Sequence, residues 1–236
     1  MMNSRPSVTE MELECECDDD ESPLDSLLSR KRIVPHTNML ATETYAHDYT
    51  EWVGHVWQMV RRNKYNEQVG YTALRTFGVM LSTKQFFTPW PLMKWERYAC
   101  IWIALKIEDN DTNVVYSAKD FIRSVLGKGS VFKSERKALL KAEKAVIKAN
   151  QFSMSFPHAS DFADVLLHMV GCVEDVRIST FALLKNVSFK MGSVSKDPVV
   201  IAVACIHTFD ARHMSTFEQL TGCSVDKTEI HSILWE

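Results

Sequence analysis

The 236-residue chain has no Cys-x-x-Cys pair and no Cys/His group at zinc-ligand spacing, which excludes a zinc ribbon or finger. It has no apolar run near the ~20 residues needed to cross a bilayer. It also has no Gly-rich phosphate loop, no Ser/His/Asp pattern and no pair of carboxylates in a pocket-like setting. No catalytic residue, metal or cofactor is therefore assigned, and the chain is not expected to be an enzyme. The 27 Lys and Arg nearly balance the 30 Asp and Glu, for a formal net charge of −3. Bulk charge of that kind lacks the excess of cations that phosphate binding requires, so no direct nucleic acid partner is expected. The acidic, polar start is the opposite of a signal peptide, which points to the cytosol or nucleus and to no membrane. Convincing strand alternation is absent throughout.

What is present is polarised along the chain. Residues 1–38 carry the acid run of positions 10–21, broken by Met11, Leu13, Cys15 and Cys17, and show no apolar periodicity. Such composition cannot offset its ordering entropy, so the segment is expected to be a disordered acidic tail, followed by Arg30-Lys31-Arg32. Cys15-Glu-Cys17 could hold a soft metal, but two free thiols are the better reading. Cys100, Cys172, Cys205 and Cys223 fall in apolar helical patterns, where a reduced thiol packs as a small hydrophobe. Met59 and Trp57, at helical spacing, read as plain core. The histidines, His158 among them, are scattered with no carboxylate at ligand spacing.

From residue 42 helical patterns recur. Residues 42–60 place Tyr45, Tyr49, Trp52, Val53, Val56 and Met59 at steps of three and four. Residues 66–81 start at a capping Asn66. Residues 90–107 are apolar on most faces, as in the central helix of a bundle. Residues 117–126 begin with Ser117 and Asp120 in an approximate capping box. Residues 134–150 carry lysines on their outer face. Pro157 closes this group, and the series restarts at 161–169, 176–191, 198–209, 215–220 and 225–235. Asp197-Pro198 is a helix start and Gly222 a C-cap. The two series have the same order of lengths, which predicts an all-α chain of two five-helix units.

Two stretches carry a resemblance. Ala104-Leu105-Lys106-Ile107-Glu108-Asp109 resembles the end of the third helix of a cyclin box. Glu143, followed by Asn150-Gln151-Phe152-Ser153-Met154-Ser155-Phe156-Pro157, resembles the fifth. Trp52 matches the tryptophan of the first helix. In the second unit, Asp197 to Cys205 is similar to the proline-led, alanine-rich third helix. The resemblance implies two cyclin boxes, 39–157 and 158–236, behind the 1–38 tail. It further implies a regulatory subunit that binds and activates a cyclin-dependent kinase. Lys106 and Glu143 would bond the backbone of a kinase helix, with Ile107, Ile147, Phe152 and Met154 as the apolar wall. Residues 159–171 look similar to divergent cyclin-like proteins that promote meiotic crossovers, which would put the protein in the nucleus, on chromosomes, and also in the cytoplasm, with recombination proteins as further partners. A viral or transcriptional cyclin, or a cyclin-fold scaffold acting without kinase activation, stays open.

The departures matter as much. Where many cell-cycle cyclins have Met-Arg-x-x-Leu for docking Arg-x-Leu peptides, this chain has Tyr45, Ala46 and Tyr49. With Trp52 they would form a degenerate docking patch, the tyrosines filling a shallow groove. Leu13-Glu-Cys15-Glu-Cys17 approaches Leu-x-Cys-x-Glu, but ends in Cys and is better read as chance. Ser22-Pro23 and Thr88-Pro89 are minimal proline-directed phosphorylation sites, of which only Ser22 lies where a kinase could reach it.

Overall fold

A computed structural model describes residues 22–30, 43–83, 93–108, 117–151, 157–190 and 196–235. Among them every regular element is helical. The first unit consists of α2 (Glu43–Asn63), α3 (Glu67–Thr83), α4 (Lys94–Glu108), α5 (Ala118–Leu126) and α6 (Lys133–Ala149). The second consists of α7 (Ala159–Met169), α8 (Glu174–Val187), α9 (Pro198–Phe209), a 3-10 turn (Ala211–His213), α10 (Met214–Thr221) and α11 (Lys227–Trp235). A further helix, α1 (Pro23–Ser29), precedes both. No helix among the described residues is long and apolar enough to cross a membrane.

The apolar central helices fall where the sequence put them. Ala99 to Leu105 of α4 are buried without interruption, and α4 packs against α3 and α6. In α9 the run Ile201 to Ile206 is buried, and α7, α8, α10 and α11 gather around it. A helix wrapped on all sides has no polar face to lose, which is why these two lack the amphipathic pattern of their neighbours. The caps also hold. Asn66 accepts the Gln68 N–H at 3.0 Å, and Asp197 accepts that of Val199 at 2.9 Å ahead of Pro198. Ser117 accepts the Asp120 N–H at 3.2 Å, and Gly222 ends α10 at φ 66°. Trp57 and Met59 are core. Cys100 and Cys205 are buried in helices, whereas Cys172 and Cys223 sit half-buried between helices rather than inside them.

The tail needs correcting. Positions 23–29 are not an extension of an acidic coil but helix α1, whose Leu24 is buried and joins the core of the second unit with Leu27 and Leu28. Three leucines at i, i+3 and i+4 make an apolar stripe that α7 covers, and Ser22 caps the helix start by accepting the Asp25 N–H at 3.2 Å. Positions 1–21 and 31–42 lie outside the described residues. Helix α1 thus belongs to the second unit's core and not to a disordered segment. We expect Leu24→Ala to destabilise the chain by about 2–3 kcal/mol through lost burial and a residual cavity, read as a shifted denaturant midpoint at unchanged slope.

The two units meet through specific contacts. Trp57 lies flat against Gly70, where an added Cβ would stand 2.5 Å from the indole ring. Only glycine admits the ring so close. From there the Trp57 indole N–H donates to Ser188 Oγ at 3.0 Å, and the Lys185 ammonium sits 4.5 Å over the ring and 2.7 Å from Glu67. Next to this, His158 Nε2 and Thr72 Oγ1 are 2.8 Å apart, and Thr72 Oγ1 is 2.7 Å from Glu108 Oε1. A carboxylate can only accept, so Thr72 donates its one proton to Glu108 and accepts from His158. This assigns the Nε2–H tautomer of His158. The partners are 36 and 86 residues apart in sequence, which is why spacing did not reveal them.

Burial first, and then the charge of Arg75, hold the His158 imidazole down at about 3. Burial pushes the Asp161 carboxyl up to about 6, with Glu108 adding repulsion, against the His158 backbone N–H that it accepts at 2.7 Å. Below pH 6.5 the unfolded chain protonates His158 while the folded chain does not, so that contribution is complete above pH 6.5 and lost as pH falls. Asp161 runs the other way: complete below its unfolded value near 3.8, and lost as pH rises through 6. Between pH 4 and 6 the two slopes oppose each other. We expect His158→Gln, which leaves Asp161 alone, to lose up to about 3 kcal/mol on going from pH 4 to 7. Asp161→Asn should show the opposite slope. Denaturant unfolding at four pH values checks both.

Candidate functional site

Lys106 stands in the last turn of α4, where its charge suits the carbonyl end of the helix. Its ammonium sits 4.5 Å over the Trp102 ring and donates to Glu143 Oε1 on α6. The pair predicted from two separate motifs is thus formed within the chain, between the two helices that pack on each other. Glu143 is 14% exposed and Lys106 46%. At that exposure the pair contributes little to stability, ~1 kcal/mol or less. It leaves chemistry over, however. The ammonium has three donors and the carboxylate a second oxygen, so a docking backbone could be both donated to and accepted from at one spot.

Ile107 and Ile147 both pack, half-buried, on the first-unit core beside the pair. Phe152 and Met154 lie outside the described residues. Leu140 is 43% exposed and stands three positions before Glu143, on the same side of α6 as Glu143 and Ile147. Phe132, 64% exposed, opens the helix. Sequence reasoning passed over both; the step of i, i+3, i+7 through Leu140, Glu143 and Ile147 is the signal that could have found Leu140. The site is then a charged pair at the α4–α6 junction with an apolar rim.

The degenerate docking patch is corrected. Tyr49 and Trp52 are each 2% exposed and belong to the core, not to a surface. Trp52 packs on Phe77 and His55 with the Arg97 guanidinium 5.6 Å over its ring. Tyr49 faces a small cavity of about 90 Å³ between the two units, with Tyr71, Arg75 and His158. The physical reason is helix rotation: with Val53 and Val56 buried, the same face of α2 turns Tyr49 and Trp52 inward. The side chains of Tyr45 and Ala46 lie outside the described residues. A polar recess of Glu51, Gln58, Arg97 and Tyr98 flanks Trp52 instead.

No family model matches the chain, and no curated protein matches it either. Solved structures do. A viral cyclin from herpesvirus saimiri superposes with a TM-score of 0.62 at 15% identity, over 82% of this chain and 83% of that one. A chain of the yeast RNA polymerase II CTD kinase complex CTDK-1 superposes with a TM-score of 0.61 at 11% identity. That match covers 81% of this chain and 64% of the yeast one. With the two helix series, the two buried central helices and these superpositions, the protein has the cyclin fold, with its boxes in tandem.

With Trp52 enclosed and Tyr49 turned into the box junction, the described side chains of α2 offer an Arg-x-Leu peptide no apolar slot. Titration followed by calorimetry should show binding weaker than about 1 mM, or less than roughly 4 kcal/mol. Saturable micromolar binding abolished by Trp52→Ala would contradict this.

Proposed function

We propose that this chain is a non-catalytic regulatory subunit that docks on a cyclin-dependent kinase through the α4–α6 junction. It holds the kinase's mobile helix and activation loop in the active arrangement, so the phosphoryl transfer belongs to the kinase. The observation that carries the reading is the Lys106–Glu143 pair, preformed between two packed helices and bordered by exposed Leu140. A preformed pair is already ordered before binding, so less freedom is lost on docking. Its charges also set register, since a misaligned partner leaves them desolvated and unmatched. Activation follows if the active kinase conformer binds better than the inactive one. The yeast structure is that of a kinase complex, which supports a kinase as the class of partner. The resemblance of residues 159–171 supports the narrower reading of a nuclear role in meiotic crossover control.

The test is co-purification with a panel of cyclin-dependent kinases, followed by kinase assay. The double variant Lys106→Ala with Glu143→Ala should lose binding by about 2–5 kcal/mol while its helical circular dichroism stays unchanged. Undiminished binding by the double variant refutes the site. Binding without activation by the native chain favours a scaffold.

A further inference from the structure

Helix α6 holds more positive charge than its role in the core requires. Lys133, Lys137, Lys141, Lys144 and Lys148 are all exposed and follow one another at steps of four, four, three and four. Those steps put all five on one strip opposite the buried Leu139, Ala142 and Val146, ~22 Å long. The helix has two acids, and both are taken elsewhere. Glu135 accepts from Lys128 at 3.0 Å and from the Phe132 N–H at 2.9 Å, and Glu143 accepts from Lys106. Like charges at i, i+4 disfavour a helix by a few tenths of a kcal/mol per pair, so an unmatched row works against the element that carries it. The near-neutral whole-chain charge hides this strip because its counterweight lies in the same sequence. Residues 10–21 hold eight acids and not one base.

We propose that the acidic segment 10–21 docks on the lysine strip of α6 and partly covers the α4–α6 junction. Charge complementarity is one argument and reach is the other. The acid run ends at Glu21, directly before Ser22, and Ser22 is fixed as the cap of α1. Pro23 and Arg30 of α1 line the same cavity, about 440 Å³, as Glu108 at the end of α4. Glu108 is half a turn beyond Lys106, which touches Glu143, the neighbour of Lys144. That route is on the order of 25 Å, and twelve extended residues span ~40 Å. By docking α1 on the second box, the chain delivers its acidic segment to the edge of the basic helix. The effect on kinase binding rests on the function proposed above; the contact itself does not.

Zero-length carbodiimide coupling of the full chain, read by mass spectrometry, tests the contact. Carboxylates of residues 10–21 should couple to the strip lysines within one chain, independently of protein concentration. The yield should fall ~10-fold in 1 M salt, where the screening length is ~3 Å. It should also fall in the folded variants K137Q/K141Q/K144Q/K148Q and D18N/D19N/D20N/E21Q. Coupling to other surfaces, or only between chains at rising concentration, overturns the proposal. So does a duplex oligonucleotide that binds the native chain and the acid-neutralised variant equally well, because the strip would then be open. The acid-neutralised variant should bind the kinase several-fold tighter. If neither form binds any kinase while the coupling persists, the kinase reading fails and the contact stands.

Discussion

The hydrogen-bond chain from His158 through Thr72 to Glu108 is the interaction on which the arrangement of the two boxes depends. It starts at the first residues of the second box, crosses α3 of the first, and ends on the last turn of α4. A buried imidazole without an acceptor would be strongly disfavoured, and Thr72 supplies that acceptor only because its own proton goes to Glu108. The direction of each bond is therefore fixed by the one after it. Because Glu108 sits half a turn from Lys106, the same chain that sets the box angle also holds the end of α4 in place. Trp57, let in by Gly70 and held by Ser188 and Lys185, fastens the other side of the junction.

The site that follows is weak in energy and definite in geometry. Lys106 and Glu143 do little for stability, because half of the lysine is wet. What they supply is position. The pair joins two helices that pack on each other, and the last turn of α4 is also tied to the junction through Glu108, so its geometry is coupled to that of the two boxes. Leu140 and Ile147 line the same edge of α6 and supply apolar area beside it.

Much of this was legible in the sequence, for physical reasons that can be named. The central helices announced themselves because burial on every face removes polar residues, as in Ala99 to Leu105. The caps at Asn66, Ser117, Asp197 and Gly222 are local chemistry and were read locally. Lys106 and Glu143 were found through two motifs, and the structure brings them into contact. Helix α1 was missed because eight acids nearby swamped three leucines in the composition of the segment. Tyr49 and Trp52 were placed on a surface because a motif match fixes position along a chain but not the rotation of its helix. His158 was passed over because its partners are distant in sequence.

One consequence of α1 concerns the ribosome. Its leucines belong to the core of the second box, yet α7, their partner, begins more than 130 residues later, after the whole first box. At ~5–20 residues per second, α1 waits on the order of ten seconds for the surface that covers it. During that wait Leu24, Leu27 and Leu28 face water or a chaperone. The second box must therefore retrieve a piece emitted before the first box was made, and its core is completed only after α7 has left the tunnel.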